Sequence, residues 1–254
     1  MIFFDNGMDI DICGCNYTCV SCNHFAPFGK LPIMKPEEVE HDLRILGRFA
    51  RMNRLSILGG EPTLSPYLVD ILEIARHSRL GRVVELTTNG SLLHTLPEKF
   101  WLSFDVLYIS LYRDKPIDDN IALAKQKSKK YGFEIKLKRH EFWKVLNKHP
   151  LSEPLAQQQY DTCVLRHICH ATYHGYFYQC PASKILPGRF MGLTPTVDGI
   201  ALDEHLTEES LRAYLERPSH FHSCALCSQQ KEFTEWREVK TESEWLEGST
   251  VDNG

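Results

Sequence analysis

The stretch Cys15-Asn16-Tyr17-Thr18-Cys19-Val20-Ser21-Cys22 places three thiols within eight residues, in the pattern Cys-x3-Cys-x2-Cys. Thiolates converging on one short loop suit a soft metal site, either zinc or an iron–sulfur cluster. Structural zinc sites and ordinary ferredoxin-type clusters close with four protein ligands. No obvious local fourth ligand accompanies these three, so one metal position is left for a ligand that is not protein.

The chain leading into this loop, Asp9-Ile10-Asp11-Ile12, alternates as a short strand does, which puts the thiols at a strand's C-terminal end. Pro36-Glu37-Glu38 then opens a helix with Val39, Leu43, Leu46 and Phe49 on one face. A second strand, Leu55–Leu58, ends at Gly59-Gly60-Glu61-Pro62, and Ser65-Pro66 reads as the cap and first turn of the next helix. Val83–Thr87 is a third strand closed by Thr88-Asn89-Gly90, and a short helix lies near Pro97–Leu102. Val106–Ser110 is the fourth strand, Asp118–Tyr131 a helix, and Phe133–Leu137 the fifth strand. Short apolar strands alternating with amphipathic helices predict an α/β fold with a parallel sheet. Only about five such units fit before residue 145, so the expected architecture is an open, partial β/α barrel of about five or six parallel strands. The loops after its strands carry the Cys loop, Gly59–Pro62, Asn89 and Ser110, and in barrels those loops hold the active site.

Composition narrows the class. The chain has 254 residues, 43% hydrophobic and 24% charged, with a formal net charge of -4, which is ordinary for a globular protein and argues against a nucleic-acid partner. Met1-Ile2-Phe3-Phe4 is too short for a signal peptide, and no apolar run approaches a membrane span. Nine cysteines without an export signal point to metal or catalysis in a cytoplasmic, oxygen-poor setting rather than to disulfides.

The order of Cys15-x3-Cys19-x2-Cys22, Gly-Gly-Glu-Pro after the second strand and Thr-Asn-Gly after the third resembles the radical SAM superfamily, from residue 9 to about 140. The resemblance implies that the three Cys bind a [4Fe–4S] cluster whose fourth iron site takes S-adenosylmethionine. Gly59, Gly60, Glu61, Pro62, Asn89 and Ser110 are then the candidate cofactor-binding residues, with Glu61 placed to accept from the methionine ammonium. The family usually has an aromatic residue before the third Cys, where this chain has Ser21.

After Pro150 the character changes, and cysteines return at Cys163, Cys169, Cys180, Cys224 and Cys227. Cys163-x11-Gly175-x4-Cys180, a gap, then Cys224-x2-Cys227 is similar to the Twitch half of a SPASM-type domain. That similarity implies one auxiliary [4Fe–4S] cluster on Cys163, Cys180, Cys224 and Cys227; a four-Cys zinc site is the alternative. The expected organisation is a barrel over residues 1–150, a small iron–sulfur unit over 151–230 and a polar C-terminal tail over 231–254. Cys13 reads as a small buried filler.

A chain of this size with a Twitch-like unit resembles the aminocyclitol dehydrogenase type of radical SAM enzyme. The implied reaction is oxidation of a sugar or cyclitol-like carbinol to a ketone, with the auxiliary cluster accepting an electron. Radical epimerisation, with Cys169 as hydrogen donor, is the alternative; ribosomal-peptide maturation and a non-enzymatic zinc-ribbon module are further ones. Lys136, Lys138, Arg139 and His140 close strand five, and of these Arg139 is the candidate to meet substrate. The implied partners are a small-molecule substrate and a flavodoxin- or ferredoxin-type electron donor.

Overall fold

A computed structural model describes residues 1–22, 24–26, 31–144, 149–227 and 233–246; residues 23, 27–29, 231–232 and 247–254, which the sequence assigns to loop and tail, lie outside the described residues. In chain order the first elements are β1 (Ile2–Asp11), α1 (Pro36–Leu46), β2 (Ala50–Leu58), α2 (Leu68–Ser78), β3 (Gly81–Thr88), β4 (Val106–Leu111), α3 (Asp118–Tyr131) and β5 (Glu134–Arg139). There follow β6 (Phe142–Lys144), α4 (Glu153–Asp161), β7 (Cys169–Tyr173), β8 (Tyr176–Tyr178), α5 (Leu186–Phe190), β9 (Ile200–Ala201), α6 (Glu208–Leu215), β10 (Phe233–Glu235) and α7 (Glu242–Leu246).

The main sheet runs β5-β4-β3-β2-β1-β7-β8-β9 and does not close. Its first six strands are parallel, as an open barrel requires; β8 and β9 add antiparallel to the edge. The sixth parallel strand, β7, comes from beyond residue 150 and lies against β1, pairing Gly7 with Cys169 and Asp9 with Ala171. Residues 151–230 thus extend the sheet as well as carrying the second set of thiols.

Local chemistry explains most element ends. Pro36 occupies the first turn of α1, and the Lys35 N–H donates to the Glu38 carboxylate at 2.8 Å. α3 ends at Gly132, whose φ of 82° is left-handed. α2 corrects the sequence reading: Ser65 caps only a turn, with its Oγ accepting from Tyr67 N at 3.3 Å, and the helix starts at Leu68. The expected helix near Pro97 is a 3-10 helix over Glu98–Leu102.

The two faces of the sheet differ sharply. Met8, Ile10, Leu55, Ile57, Val84, Leu86, Leu107 and Ile109 pack in one buried core with α1 and α2 residues such as Leu43 and Leu72. Since side chains alternate along a strand, the other face carries Asp9, Asp11, Arg54, Ser56, Glu85, Tyr108, Ser110, Lys136 and Lys138. The barrel interior is therefore polar.

One buried ion pair joins that interior to the C-terminal half. Lys184 Nζ meets the Asp11 carboxylate, and both side chains are wholly shielded from solvent. His24 Nδ1 lies 3.0 Å from the other Asp11 oxygen. Burial pushes the Lys184 pKa down to about 8, since the charged ammonium loses its water. No helix among the described residues is long and apolar enough to cross a membrane. Removing one partner of a buried pair strands the other charge, so Asp11→Asn should cost about 3–5 kcal/mol in denaturant unfolding. The double variant Asp11→Asn/Lys184→Met should recover much of that loss, and additivity of the two single changes would contradict the pairing.

Candidate active site

The loops after β1, β2 and β3 are stitched together. Gly60 N donates to Cys13 O and Glu61 N to Gly14 O, both at 2.8 Å. These bonds bring the backbone of the Gly-Gly-Glu-Pro turn against the chain entering the Cys loop. Glycine is needed at this approach: a Cβ on Gly60 would stand 2.2 Å from the Gly14 carbonyl carbon and 2.5 Å from Cys15 N. Gly59 has φ +139°, a conformation side-chain-bearing residues avoid.

Glu61 is 0% exposed and ties three loops together. One carboxylate oxygen accepts from Thr63 N at 3.1 Å and from the Thr63 and Thr88 hydroxyls; the other accepts from Asn89 N at 2.6 Å. Burial raises its pKa, and these donors oppose the rise by favouring the carboxylate. Asn89 in turn donates from Nδ2 to Asn16 Oδ1 in the Cys loop at 2.8 Å. Pro62 is buried at the start of a 3-10 turn. Ser110 is buried near the end of β4, paired in register with Lys138.

The three thiols are covered on the solvent side. Cys19 and Cys22 are buried with Tyr17, Ala26 and Trp236, and Cys15, Leu31 and Tyr112 pack against them. Tyr17 N donates to Cys15 Sγ at 3.4 Å. Burial pushes the Cys19 thiol up to about 12, with the charge of Cys22 adding to it, and raises Cys15 and Cys22 as well. Groups held neutral in this way ionise when a metal or cluster supplies positive charge, and these three sulfurs fit that role. Among the described residues no three side chains are drawn together tightly enough to close on an ion. Ser21, which stands where an aromatic was expected, has φ +48° and donates to Trp245 O at 3.4 Å.

Trp236 and Tyr112 were missed in the sequence. Trp236 sits in a segment that reads as a charged tail, and its only signal there is a large apolar ring among charges. Tyr112 stacks on His140 and lies 5.2 Å from Trp236, centroid to centroid. These three rings with Leu111, Arg113 and Arg139 line a cavity of about 300 Å³. Burial lowers the His140 pKa to about 4. Arg139 is in register with Leu111, on the sheet face opposite Ser110 and Lys138, and reaches this cavity from the rim.

The second set of thiols also comes together. Cys163, Cys224 and Cys227 each raise the Cys180 pKa by their charge, beside the larger effect of burial, which takes it to about 12. Asp198, another residue missed in the sequence, holds the turn that carries Cys224: its carboxylate accepts from His222 N and Ser223 N, each at 2.8 Å. Ser183 and Ser223 hydroxyls meet at 2.6 Å, tying that turn to the one after Cys180. Cys169 starts β7 in register with Gly7, four residues before Asp11, which is ~13 Å along the strands from the first thiol loop.

The polar inner face was only partly legible. Arg54 Nη1 lies 3.0 Å from Glu85 Oε2. Asp9, whose pKa burial raises, feels the charges of His24, Arg54, Lys184 and Glu85, so these groups share one interior.

An open parallel barrel with three thiols in the loop after β1, faced by a Gly-Gly-Glu-Pro turn, defines the class. The family model of the radical SAM superfamily matches residues 10–138, and the chain belongs to that superfamily. Membership makes the protein a radical SAM enzyme and implies a [4Fe–4S] cluster used with S-adenosylmethionine. Among relatives, the "Probable GTP 3′,8-cyclase" of Pyrococcus abyssi is 40% identical over 86 residues, 34% of this chain and 27% of that protein. The GTP 3′,8-cyclase of Shewanella denitrificans is 32% identical over 80 residues, 30% of this chain and 23% of that protein. The match thus spans about a quarter of these relatives' length. Among solved structures, BtrN in complex with AdoMet and 2-DOIA superposes with a TM-score of 0.55 at 14% identity, over 85% of this chain and 84% of that one. BtrN in an open conformation gives 0.51 at 14% identity, over 88% and 90%. At such identity the likeness is one of fold.

The Gly60–Gly14 contact is backbone against backbone, so neither side can rotate away. Gly60→Ala should therefore lower unfolding stability by about 1–3 kcal/mol, the range for overpacking. Gly14→Ala, whose Cβ meets nothing within 4 Å, should unfold close to wild type in the same measurement.

Proposed function

We propose that the chain is a radical SAM oxidoreductase that converts a carbinol of a sugar or cyclitol-like molecule to a ketone. In this reading residues 1–150 form the catalytic barrel and 151–230 an auxiliary-cluster unit. Cys15, Cys19 and Cys22 hold the catalytic [4Fe–4S] cluster. Gly59, Gly60, Glu61, Pro62, Asn89 and Ser110 hold S-adenosylmethionine, and Cys163, Cys180, Cys224 and Cys227 hold a second cluster.

One observation carries this reading: Val20, inside the first thiol loop, and Leu226, between Cys224 and Cys227, are buried in a single apolar cluster with Phe25 and Leu186. The segments that carry the two thiol sets are therefore joined through one apolar core, which supports a relay between them. When bound, the two clusters and S-adenosylmethionine would supply a 5′-deoxyadenosyl radical that takes one hydrogen atom from the carbinol carbon, and an acceptor for one electron. The chain's own task is to take the remaining proton, from the hydroxyl.

Glu85, oriented by Arg54, and Asp9 offer carboxylates on the polar face for that proton. Ser56, Tyr108, Ser110, Lys136 and Lys138 line the same face and suit the hydroxyl groups of a polyol. Tyr17, Tyr112 and Trp236 exclude water from the thiol loop. Arg139 presents a fixed cation at the aromatic cavity beside it. Cys169 starts β7 at the level of Gly7, away from the strand ends that carry the first thiol loop, a position that favours oxidation over epimerisation through that thiol. A flavodoxin- or ferredoxin-type donor would supply electrons.

The 40% identity with a relative named a GTP 3′,8-cyclase supports a second reading, radical rearrangement of a purine nucleotide. Mass spectrometry of anaerobic reactions separates the two. Dehydrogenation gives a product about two mass units lighter from an aminocyclitol or sugar and leaves GTP intact, as loss of two hydrogens requires. Consumption of GTP with the sugars untouched would overturn the dehydrogenase reading. Reconstituted protein should hold about eight irons per chain, the content of two [4Fe–4S] clusters. Cys15→Ala, Cys19→Ala and Cys22→Ala should each reduce 5′-deoxyadenosine formation to background; cleavage surviving in all three would refute the ligand assignment.

A further inference from the structure

Residues 236–239 lie as an extended strap across the first thiol loop. Val20 N donates to Arg237 O and Val239 N to Thr18 O, both at 2.9 Å, and Cys19 and Glu238 form an antiparallel bridge. Trp236 N donates to Glu141 O at 2.8 Å, which anchors the strap to the chain after β5. Lys115 pairs with Glu238 at 2.5 Å on its outer side. An edge-to-edge join of this kind fixes where the strap's side chains fall.

Trp236 falls on the thiols. Its ring is 3% exposed and buried with Cys19 and Cys22. Among the described residues its Nε1–H has no hydrogen-bond partner. The sulfur on the segment bridged to the strap is that of Cys19, which pairs with Glu238 and is buried in the same cluster as the indole. A buried N–H with no other acceptor is costly to leave unpaired, and a sulfur carrying negative charge is the acceptor that satisfies it.

Resting on the assignment of Cys15, Cys19 and Cys22 as cluster ligands, we propose that Trp236 is a positioning residue for the catalytic cluster: its Nε1–H donates to Cys19 Sγ and sets the cluster's reduction potential. Reduction adds negative charge that spreads onto the ligand sulfurs. A donor aimed at one of them stabilises the reduced form and raises the potential, as hydrogen bonds to cluster sulfurs do. The strap is thus part of the redox site, supplied from beyond residue 230.

The test is an anaerobic redox titration of the full chain, following the reduced-cluster EPR signal that changes on adding S-adenosylmethionine. Trp236→Phe keeps an aromatic ring and removes the donor. Its potential should fall by an amount equal to about a tenfold shift toward the oxidised form, ~59 mV for one electron. Trp245→Phe is the control: its ring stacks on Phe190 at 6.0 Å, in the apolar cluster with Phe25, and its potential should match wild type. An unchanged potential in Trp236→Phe, or an equal fall in Trp245→Phe, would overturn the proposal. If Trp236→Phe fails to retain iron, wild-type protein carrying nitrogen-labelled tryptophan decides, by a labelled-nitrogen coupling to the reduced cluster in pulsed EPR; its absence counts against the bond. Loss of the S-adenosylmethionine-responsive signal in Cys15→Ala keeps the two levels apart. If that signal survives in Cys15→Ala, the ligand assignment has failed; if it is lost and Trp236→Phe titrates as wild type, only the role of Trp236 has.

Discussion

Two backbone hydrogen bonds, Gly60 N–H to Cys13 O and Glu61 N–H to Gly14 O, hold the end of β2 against the chain leaving β1. Neighbouring parallel strands lie about 4.8 Å apart, so loops that leave them can bond only if no side chain intervenes. Gly60 meets that condition. Once the two loops are joined, the Glu61 carboxylate is carried under the mouth of the barrel, where Thr63, Thr88 and Asn89 donate to it. Asn89 then reaches back to Asn16. The thiol loop is thereby braced from two strands at once, which a loop of its length could not achieve from local bonds alone.

The sheet's two faces do different work. One is apolar and supplies the core through burial of residues such as Ile57, Leu86 and Leu107. The other carries charges that a core would not tolerate singly, and the structure pairs them: Arg54 with Glu85, and Lys184 with Asp11, whose second oxygen meets the His24 imidazole. Paired charges in a shielded space contribute little net stability, since desolvation offsets attraction. Their value lies in placing carboxylates and cations at defined points inside a barrel whose mouth holds the thiols.

The C-terminal half completes the site rather than standing beside it. β7 joins the sheet next to β1, Lys184 reaches the β1 terminus, and the strap at 236–239 covers the Cys loop. Asp198 holds the turn bearing Cys224 through two backbone N–H groups, so the second thiol set is also braced by a carboxylate buried under a turn. The same device, an acceptor-only side chain collecting orphan backbone donors, serves both thiol sets.

Much of this was legible in the residues themselves. Period-two and helical patterns marked β1 to β5 and α1 to α3, and α3 falls on Asp118–Tyr131 as the pattern placed it, because local periodicity and a left-handed glycine specify a helix without distant help. The Cys-x3-Cys-x2-Cys and Gly-Gly-Glu-Pro motifs identified the superfamily, since close backbone approach and thiol spacing are short-range requirements. What the sequence could not show were contacts between residues far apart along the chain. That Cys169–Tyr173 becomes the sixth parallel strand, that Trp236 roofs Cys19, that Lys184 finds Asp11 and that Asp198 collects the His222 and Ser223 amides are choices made by packing. Such pairs have no period and no spacing, and a tryptophan in a charged tail reads as solvent-facing until the fold supplies a buried surface for it. The sequence alone determined the elements and the chemistry of the loops; tertiary structure decided which distant side chains close over them, because burial is a property of the assembled chain.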